Sequence, residues 1–263
     1  MTTMPDPDRR LYRPQAEVVF NQSLPGGHGW MRLAVGELAA KAQPGHFVHL
    51  QCAPSLTLPR PFSLLDADPD NGTVDLFYRI VGQGTAFMAA WRAGERTTLL
   101  MPAGRCFTTP PPGADILLIA GGAGMAPLHF LARRLGMPFT FLWGIETELP
   151  MALPFACQLA SRAAFPDRFQ GFVTELAARH LTRNTYLYAC GPHPMLQAVS
   201  RLGHPGQLSL EERMACGFGG CAACVAPIRD PATTSGWQYR KICTDGPVFA
   251  IDEVAWEHYA HPH

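Results

Sequence analysis

The chain has 263 residues, 47% of them hydrophobic and 16% charged, with Lys+Arg and Asp+Glu balanced at 21 each. That length supports two domains or three small ones with substantial cores, and the hydrophobic share excludes a disordered chain. Balanced charge without a basic block argues against a nucleic-acid partner held by phosphate neutralisation. The charged share lies below the typical ~25%, compatible with cofactors and a partner subunit covering much of the surface. The opening MTTMPDPDRR contains no apolar h-region, and the longest apolar run, Ile116 to Ala120, is strand length. No secretory signal and no membrane span are therefore expected, and the expected location is cytoplasmic. Disulfides are rare in that reducing compartment, so eight cysteines need another explanation.

From Ala16 to about Met101 the pattern is strand-like. AEVVF, WMRLAV, HFVHLQC, TVDLFYRIV and TTLLM are short apolar or alternating runs, separated by LPGGHG, QPG and DPDNG. Only TAFMAAWRAG reads as a short helix. Several strands with almost no helix predict an antiparallel barrel or sandwich. TTPPPGAD, with Pro110, Pro111 and Pro112, marks a linker. Beyond it strand and helix alternate. ILLIA is a continuous apolar run, as expected of a strand buried on both faces. It leads through GGAGMAP into a helix with Leu128, Leu131, Ala132 and Leu135 on one face. PFTFLWG is a second strand, VTELAARHL a helix with Thr174 as its expected cap, TYLYACG a third strand, and PMLQAVSRLG a helix closed by Gly203. This predicts a small doubly wound α/β domain. From about Leu208 the chain is Gly- and Cys-rich, then irregular, and too short to bury a core unaided.

Cys52, Cys106, Cys157 and Cys190 are scattered and read as buried small hydrophobes. The other four follow Cys216-x4-Cys221-x2-Cys224, with Cys243 after 18 further residues. A triplet with a distant fourth cysteine is the plant-type spacing for a [2Fe–2S] cluster. Gly217, Gly219 and Gly220 would let the loop take φ > 0 and turn N–H groups towards sulfur. Structural zinc, which favours two short Cys pairs, and disulfides are the competing readings.

Gly121, Gly122 and Gly124 in GGAGMAP lie between a strand and a helix, where small residues admit a pyrophosphate to the helix N-terminus. A tight turn without a ligand is the alternative. Cys190, Gly191 and Pro192 also follow a strand and open a helix, so two strand ends could face one crevice. In RPFSL, Arg60 would neutralise a phosphate, while the backbone and Ser63 would hydrogen-bond a flat ring; a sheet-edge turn is the alternative. In FYRIVGQGT the glycines precede the short helix, either as a second pyrophosphate seat or as a hairpin turn. The ten histidines show no paired ligand spacing, and His258, His261 and His263 read as solvated tail residues. Glu146 and Glu148 follow the second α/β strand. An acid there suits a ribose 2′-hydroxyl; an exposed helix-start residue is the alternative.

The order of these motifs resembles the ferredoxin–NADP⁺ reductase superfamily: Arg-Pro-x-Ser, Tyr-Arg-x-x-Gly-x-Gly-Thr, a glycine-rich strand–helix turn, then Cys-Gly-Pro. SLEERMACGFGGCAAC and CTDGPVF narrow the resemblance to electron-transfer subunits of class 1B dihydroorotate dehydrogenase, over residues 12–254. The resemblance implies a multi-domain β + α/β fold. An antiparallel flavin-binding β-barrel would span 10–109, a doubly wound parallel-sheet NAD-binding domain 110–207, and a small C-terminal iron–sulfur domain 208–263. By position Arg60, Pro61, Phe62, Ser63, Phe77, Tyr78, Arg79, Gly84 and Thr85 would hold FAD. Gly121, Gly122, Gly124, Cys190, Gly191 and Pro192 would hold NAD(H), the substrate. Cys216, Cys221, Cys224 and Cys243 would ligate the [2Fe–2S] cluster.

The implied partner is an FMN-containing dihydroorotate dehydrogenase catalytic subunit, two of each in a heterotetramer, in de novo pyrimidine (UMP) biosynthesis. Ser63 would be the side chain nearest the hydride path, as an orienting group. Two stretches depart from the family. MPAGRCF, Met101–Phe107, replaces a Gly-Pro-Leu-Gly-type turn, and Ala120, Ala123 and Met125 vary the nucleotide turn. The alternatives are a subunit of the same fold serving another oxidoreductase, such as a hydrogenase, and a zinc-stabilised binding module.

Overall fold

The computed structural model describes residues 10–148 and 150–259. Strands β1 (Gln15–Leu24) and β2 (His28–Ala34) form a hairpin about Pro25–Gly27, with Gly26 and Gly27 at φ 70° and 72°. β3 (Phe47–Leu50), β4 (Arg60–Asp68), β5 (Thr73–Arg79), helix α1 (Gln83–Ala89) and β6 (Arg96–Ala103) follow. The six strands close into an antiparallel barrel in the order β1-β2-β5-β4-β3-β6. Residues of β6 alternate between buried and accessible, as the two-residue strand period requires. Leu99 and Met101 thereby meet Met31, Leu33, Val74 and Leu76 in the barrel interior. Burying each such side chain contributes about 1.5–3 kcal/mol.

After the proline linker come β7 (Asp115–Gly121), α2 (Met125–Arg134), β8 (Phe139–Gly144), β9 (Gln158–Ser161) and β10 (Phe169–Gln170). Next are α3 (Val173–Ala178), β11 (Thr185–Cys190), α4 (His193–Ser200) and β12 (Gly206–Ser209). β13 (Val225–Arg229), β14 (Trp237–Lys241) and β15 (Val248–Ala250) complete the chain. The seven-stranded sheet runs β10-β9-β8-β7-β11-β12-β15, parallel throughout except for β15. On β7, Leu117 and Ile119 face α3 and α4, whereas Ile116 and Leu118 face α2. That two-sided burial is the reason for its unbroken apolar run. Phe130 of α2 reaches the barrel core, and Leu65 and Phe77 of the barrel join the core beneath α2. Barrel and sheet therefore share buried surface.

Four readings of the sequence are corrected here. RPFSL is the start of a nine-residue strand and not a turn. Pro61 is tolerated because β5 pairs with β4 only from Leu64 onward, so its missing N–H breaks no ladder on that side. Thr174 is not a cap: helix α3 starts after Phe172, whose N–H donates to the Glu175 carboxylate at 2.9 Å. Gly84 lies within α1, not before it. The region after Leu208 is not irregular, since β13 and β14 form a hairpin and β15 returns to pair with β12. His258 is exposed but stacks on Trp237 at 4.3 Å; His261 and His263 lie outside the described residues.

Candidate functional site

The four clustered cysteines come together as two pairs. Cys221 and Cys216 sulfurs lie 3.3 Å apart, and Cys224 and Cys243 are hydrogen-bonded to each other. None of the eight cysteines forms a disulfide, and 3.3 Å is far beyond the ~2.05 Å of a disulfide bond. Gly217 and Gly219 take φ of 76° and 85°, whereas Gly220 does not adopt positive φ. The loop turns backbone N–H groups inward. Desolvation raises the Cys216 thiol, but N–H groups of Phe218, Cys221 and Gly220, with the Cys221 thiol, outweigh it and bring it down to about 7. The Cys243 hydrogen bond, against desolvation, brings Cys224 down to about 6, and the same bond with burial pushes Cys243 up. Lys241 donates to the Gly219 carbonyl at 2.5 Å and holds the loop.

This donor set fits a two-iron cluster. Each iron takes two thiolates, so two sulfur pairs within an N–H-rich loop match its symmetry. A single tetrahedral zinc would gather all four sulfurs about one point. Among the described residues, no three His, Cys, Asp or Glu side chains converge on a single-ion site.

The second constellation lies on the barrel. Arg60, Pro61, Phe62 and Ser63 pair with Leu50, His49, Val48 and Phe47 of β3, leaving their β5-side edge free of strand partners. Phe62 meets Tyr78 edge-on at 6.2 Å, and the Tyr78 hydroxyl donates to Asn21 at 2.9 Å. Gly29 opposes Tyr78, and a Cβ there would lie 2.3 Å from the ring, so glycine makes its seat. The Arg60 stem touches the first turn of α1, 3.5 Å from where a Gly84 Cβ would stand. Thr85 spends its hydroxyl on that turn, accepting from Val81 and Gly82 N–H and donating to the Gly82 carbonyl. Arg79 is exposed at the end of β5. Phe77 is separate from this group: strand alternation turns it to the opposite face, stacked on His28 at 5.0 Å and facing Trp143 at 6.3 Å.

The third constellation spans the carboxyl ends of neighbouring parallel strands β7 and β11. Their turns pack almost backbone to backbone. A Cβ on Gly124 would stand 2.3 Å from the Cys190 carbonyl oxygen, and one on Gly121 would stand 2.6 Å from the Met195 sulfur. Gly122 has φ 53° and faces open space. Its carbonyl accepts from the Trp143 indole N–H at 2.9 Å, a support no motif announced, because a tryptophan in a strand reads as core. Cys190 is fully buried, its thiol pushed far up by desolvation, with its sulfur 3.8 Å from the Glu211 carboxylate. Glu146 lies in the loop after β8, not at a helix start. Its carboxylate accepts from Ser161, from the Arg162 side chain and from the N–H groups of Arg162 and Ala163.

A barrel edge beside a glycine-lined parallel-sheet crevice, followed by a cysteine loop, defines a flavin reductase fold extended by an iron–sulfur segment. Residues 211–255 match the family described as the iron–sulfur cluster binding domain of dihydroorotate dehydrogenase B. The dihydroorotate dehydrogenase B (NAD(+)) electron transfer subunit of Shouchella clausii is 38% identical over 234 residues, 83% of this chain and 89% of that one. That of Desulforamulus reducens is 33% identical over 245 residues, 87% and 92%. The solved NADH-dependent reduced ferredoxin–NADP oxidoreductase superposes with a TM-score of 0.80 at 25% identity, over 92% of this chain and 90% of that one. A Neisseria gonorrhoeae ferredoxin NADP⁺ reductase shares the fold, with a TM-score of 0.59 at 17% identity, over 72% and 89%. The chain belongs to the family of dihydroorotate dehydrogenase B (NAD(+)) electron transfer subunits. It is an oxidoreductase electron-transfer subunit.

Proposed function

We propose that this chain carries electrons between NAD(H) and a separate FMN-containing dihydroorotate dehydrogenase subunit, through FAD and a [2Fe–2S] cluster, in cytoplasmic pyrimidine synthesis. FAD held by this chain would supply the conversion between two-electron hydride exchange with the nicotinamide and one-electron exchange with the cluster. Arg60, Pro61, Phe62 and Ser63 hold the flavin along the open edge of β4, with Tyr78 beside them and Arg60, Gly84 and Thr85 at its phosphates. Arg79 lies at the rim, and Phe77 supports the site from behind. Gly121, Gly122 and Gly124, with Cys190, Gly191 and Pro192, admit the dinucleotide to the β7–β11 crevice. Cys216 and Cys221 take one iron, Cys224 and Cys243 the other. The barrel, α/β and iron–sulfur segments correspond to about 10–109, 110–207 and 208–263, with β15 tying the last to the sheet of the second. The assembly is a dimer of heterodimers.

The paired sulfurs in a loop of inward N–H groups are the observation that supports this reading most directly. The test is purification of the chain, flavin and iron analysis, and capture of its partner with an assay for dihydroorotate:NAD⁺ activity. Flavin, iron with sulfide, and that activity in the complex are expected. Recovery of an unrelated oxidoreductase would reject the pyrimidine assignment and leave electron transfer standing. A colourless protein holding only zinc would overturn the reading.

A further inference from the structure

His49 is 1% exposed, and neither ring nitrogen has a hydrogen-bond partner. Leaving such a group unpaired is costly, so a buried imidazole without partners calls for a reason. Its surroundings supply one. His49 lies on β3 opposite Pro61 of the flavin strand and Leu100 of β6. On its other side is the cysteine loop: a Cβ on Gly217 would stand 2.3 Å from His49 Nδ1, so the loop can cross the ring only with glycine there. Two carbonyls face the ring, that of Cys216 from the loop and that of Pro59 from the approach to Arg60, though neither lies in hydrogen-bonding geometry. One buried ring thus touches both redox constellations.

We propose that His49 is a positioning residue that sets the separation between the flavin strand and the cluster loop, bridging the Pro59 side to the Cys216 side. This rests on the function proposed above. The imidazole is a rigid spacer with a polar atom towards each segment. The Gly217 contact makes the spacing sensitive to its shape. Hydride exchange at the nicotinamide crevice would not involve it, whereas electron transfer between a flavin held on β4 and a cluster held by the cysteine loop would cross the gap it sets.

The test uses the full chain with both cofactors bound, mixed anaerobically with NADH, following flavin bleaching optically and cluster reduction by freeze-quench EPR. In His49→Leu, flavin reduction by NADH proceeds at the wild-type rate. Cluster reduction slows severalfold, because electron transfer between two separated centres falls exponentially as the gap widens. The EPR line shape of the reduced cluster changes, and His49→Gln, which restores a polar reach, recovers part of the rate. A His49→Leu protein with wild-type cluster reduction and an unchanged spectrum would overturn the proposal while leaving the functional reading intact. If leucine prevents cluster loading, His49→Gln decides: recovered iron supports the bridge, and continued loss overturns it. A wild-type chain lacking flavin or cluster would instead sink the functional reading.

Discussion

Replacing Gly124 with alanine adds one carbon at the closest approach of the two turns that line the crevice. That Cβ would lie 2.3 Å from the Cys190 carbonyl oxygen, 2.4 Å from its carbon and 2.7 Å from the Gly191 nitrogen. Ordinary contact begins near 3.4 Å, so the turns must part by about 1.1 Å (3.4 − 2.3). The obstacle is backbone on both sides and no rotamer change relieves it. Gly124 has φ −61°, so alanine there meets no torsional penalty and the effect is purely one of overlap. Overpacking of this kind costs about 1–3 kcal/mol, and each kcal/mol lowers Tm by about 2–4 °C in a chain of this size. Because the displaced atoms line the crevice proposed above to take the dinucleotide, kcat/KM for flavin reduction by NADH should fall by up to ~100-fold. Gly136→Ala is the control. It has φ 63° with nothing within 4 Å of its Cβ, so it costs about 1–2 kcal/mol of stability and leaves the NADH kinetics alone. Thermal melts and stopped-flow reduction read both quantities. A Gly124→Ala protein with wild-type Tm and wild-type NADH kinetics would refute the packing of the two turns.

Cys243→Ser should abolish the cluster EPR signal and iron content while flavin content stays at the wild-type level, because the barrel motifs do not include it; retention of a normal cluster signal would remove Cys243 from the ligand set. Asp75→Ala strips the acceptor of Arg32, bonded at 2.6 and 2.8 Å, and of the Trp30 indole at 3.1 Å. We expect a loss of about 1.5–3 kcal/mol in urea unfolding. Arg32 is 37% exposed and can regain water, which keeps the loss below that of a fully buried pair; a change under ~0.5 kcal/mol would place the pair among inconsequential surface contacts. Burial is the largest cause lowering the pKa of both His28 and His129 from the free imidazole value of ~6.5. The unfolded chain therefore binds more protons in acid. Stability is full above about pH 6.5 and falls as pH drops from there through the depressed folded values. Urea midpoints across that window should show the slope, and His129→Gln should make it shallower; an unchanged slope would mean that His129 takes up its proton equally in the folded and unfolded chain.

Much of this protein is written locally. Alternating runs become barrel strands because a half-buried strand has a two-residue period, and ILLIA becomes a central strand because both its faces are covered. The cysteine spacing announces an iron–sulfur loop because three thiolates from one short turn and a fourth from a later segment must reach one cluster. Other features depend on which segments become neighbours, and no local pattern carries that. RPFSL leaves a ligand-binding edge and a sheet-edge turn both open until β3 pairs with it and β5 leaves its edge free. The C-terminal region reads as irregular because β15 finds its hydrogen bonds on β12, about 40 residues earlier in the chain. Phe77 sits next to Tyr78 in every motif, yet faces the other way, because adjacent strand residues point to opposite faces and here both faces are buried by different domains. The sequence by itself determined the kinds of element and the chemistry of the ligands. Tertiary structure alone decided the pairing of Cys224 with Cys243, the contact of Gly124 with Cys190 and the place of His49 between two sites, since each arises from backbone segments apart in the chain that only the packed cores bring together.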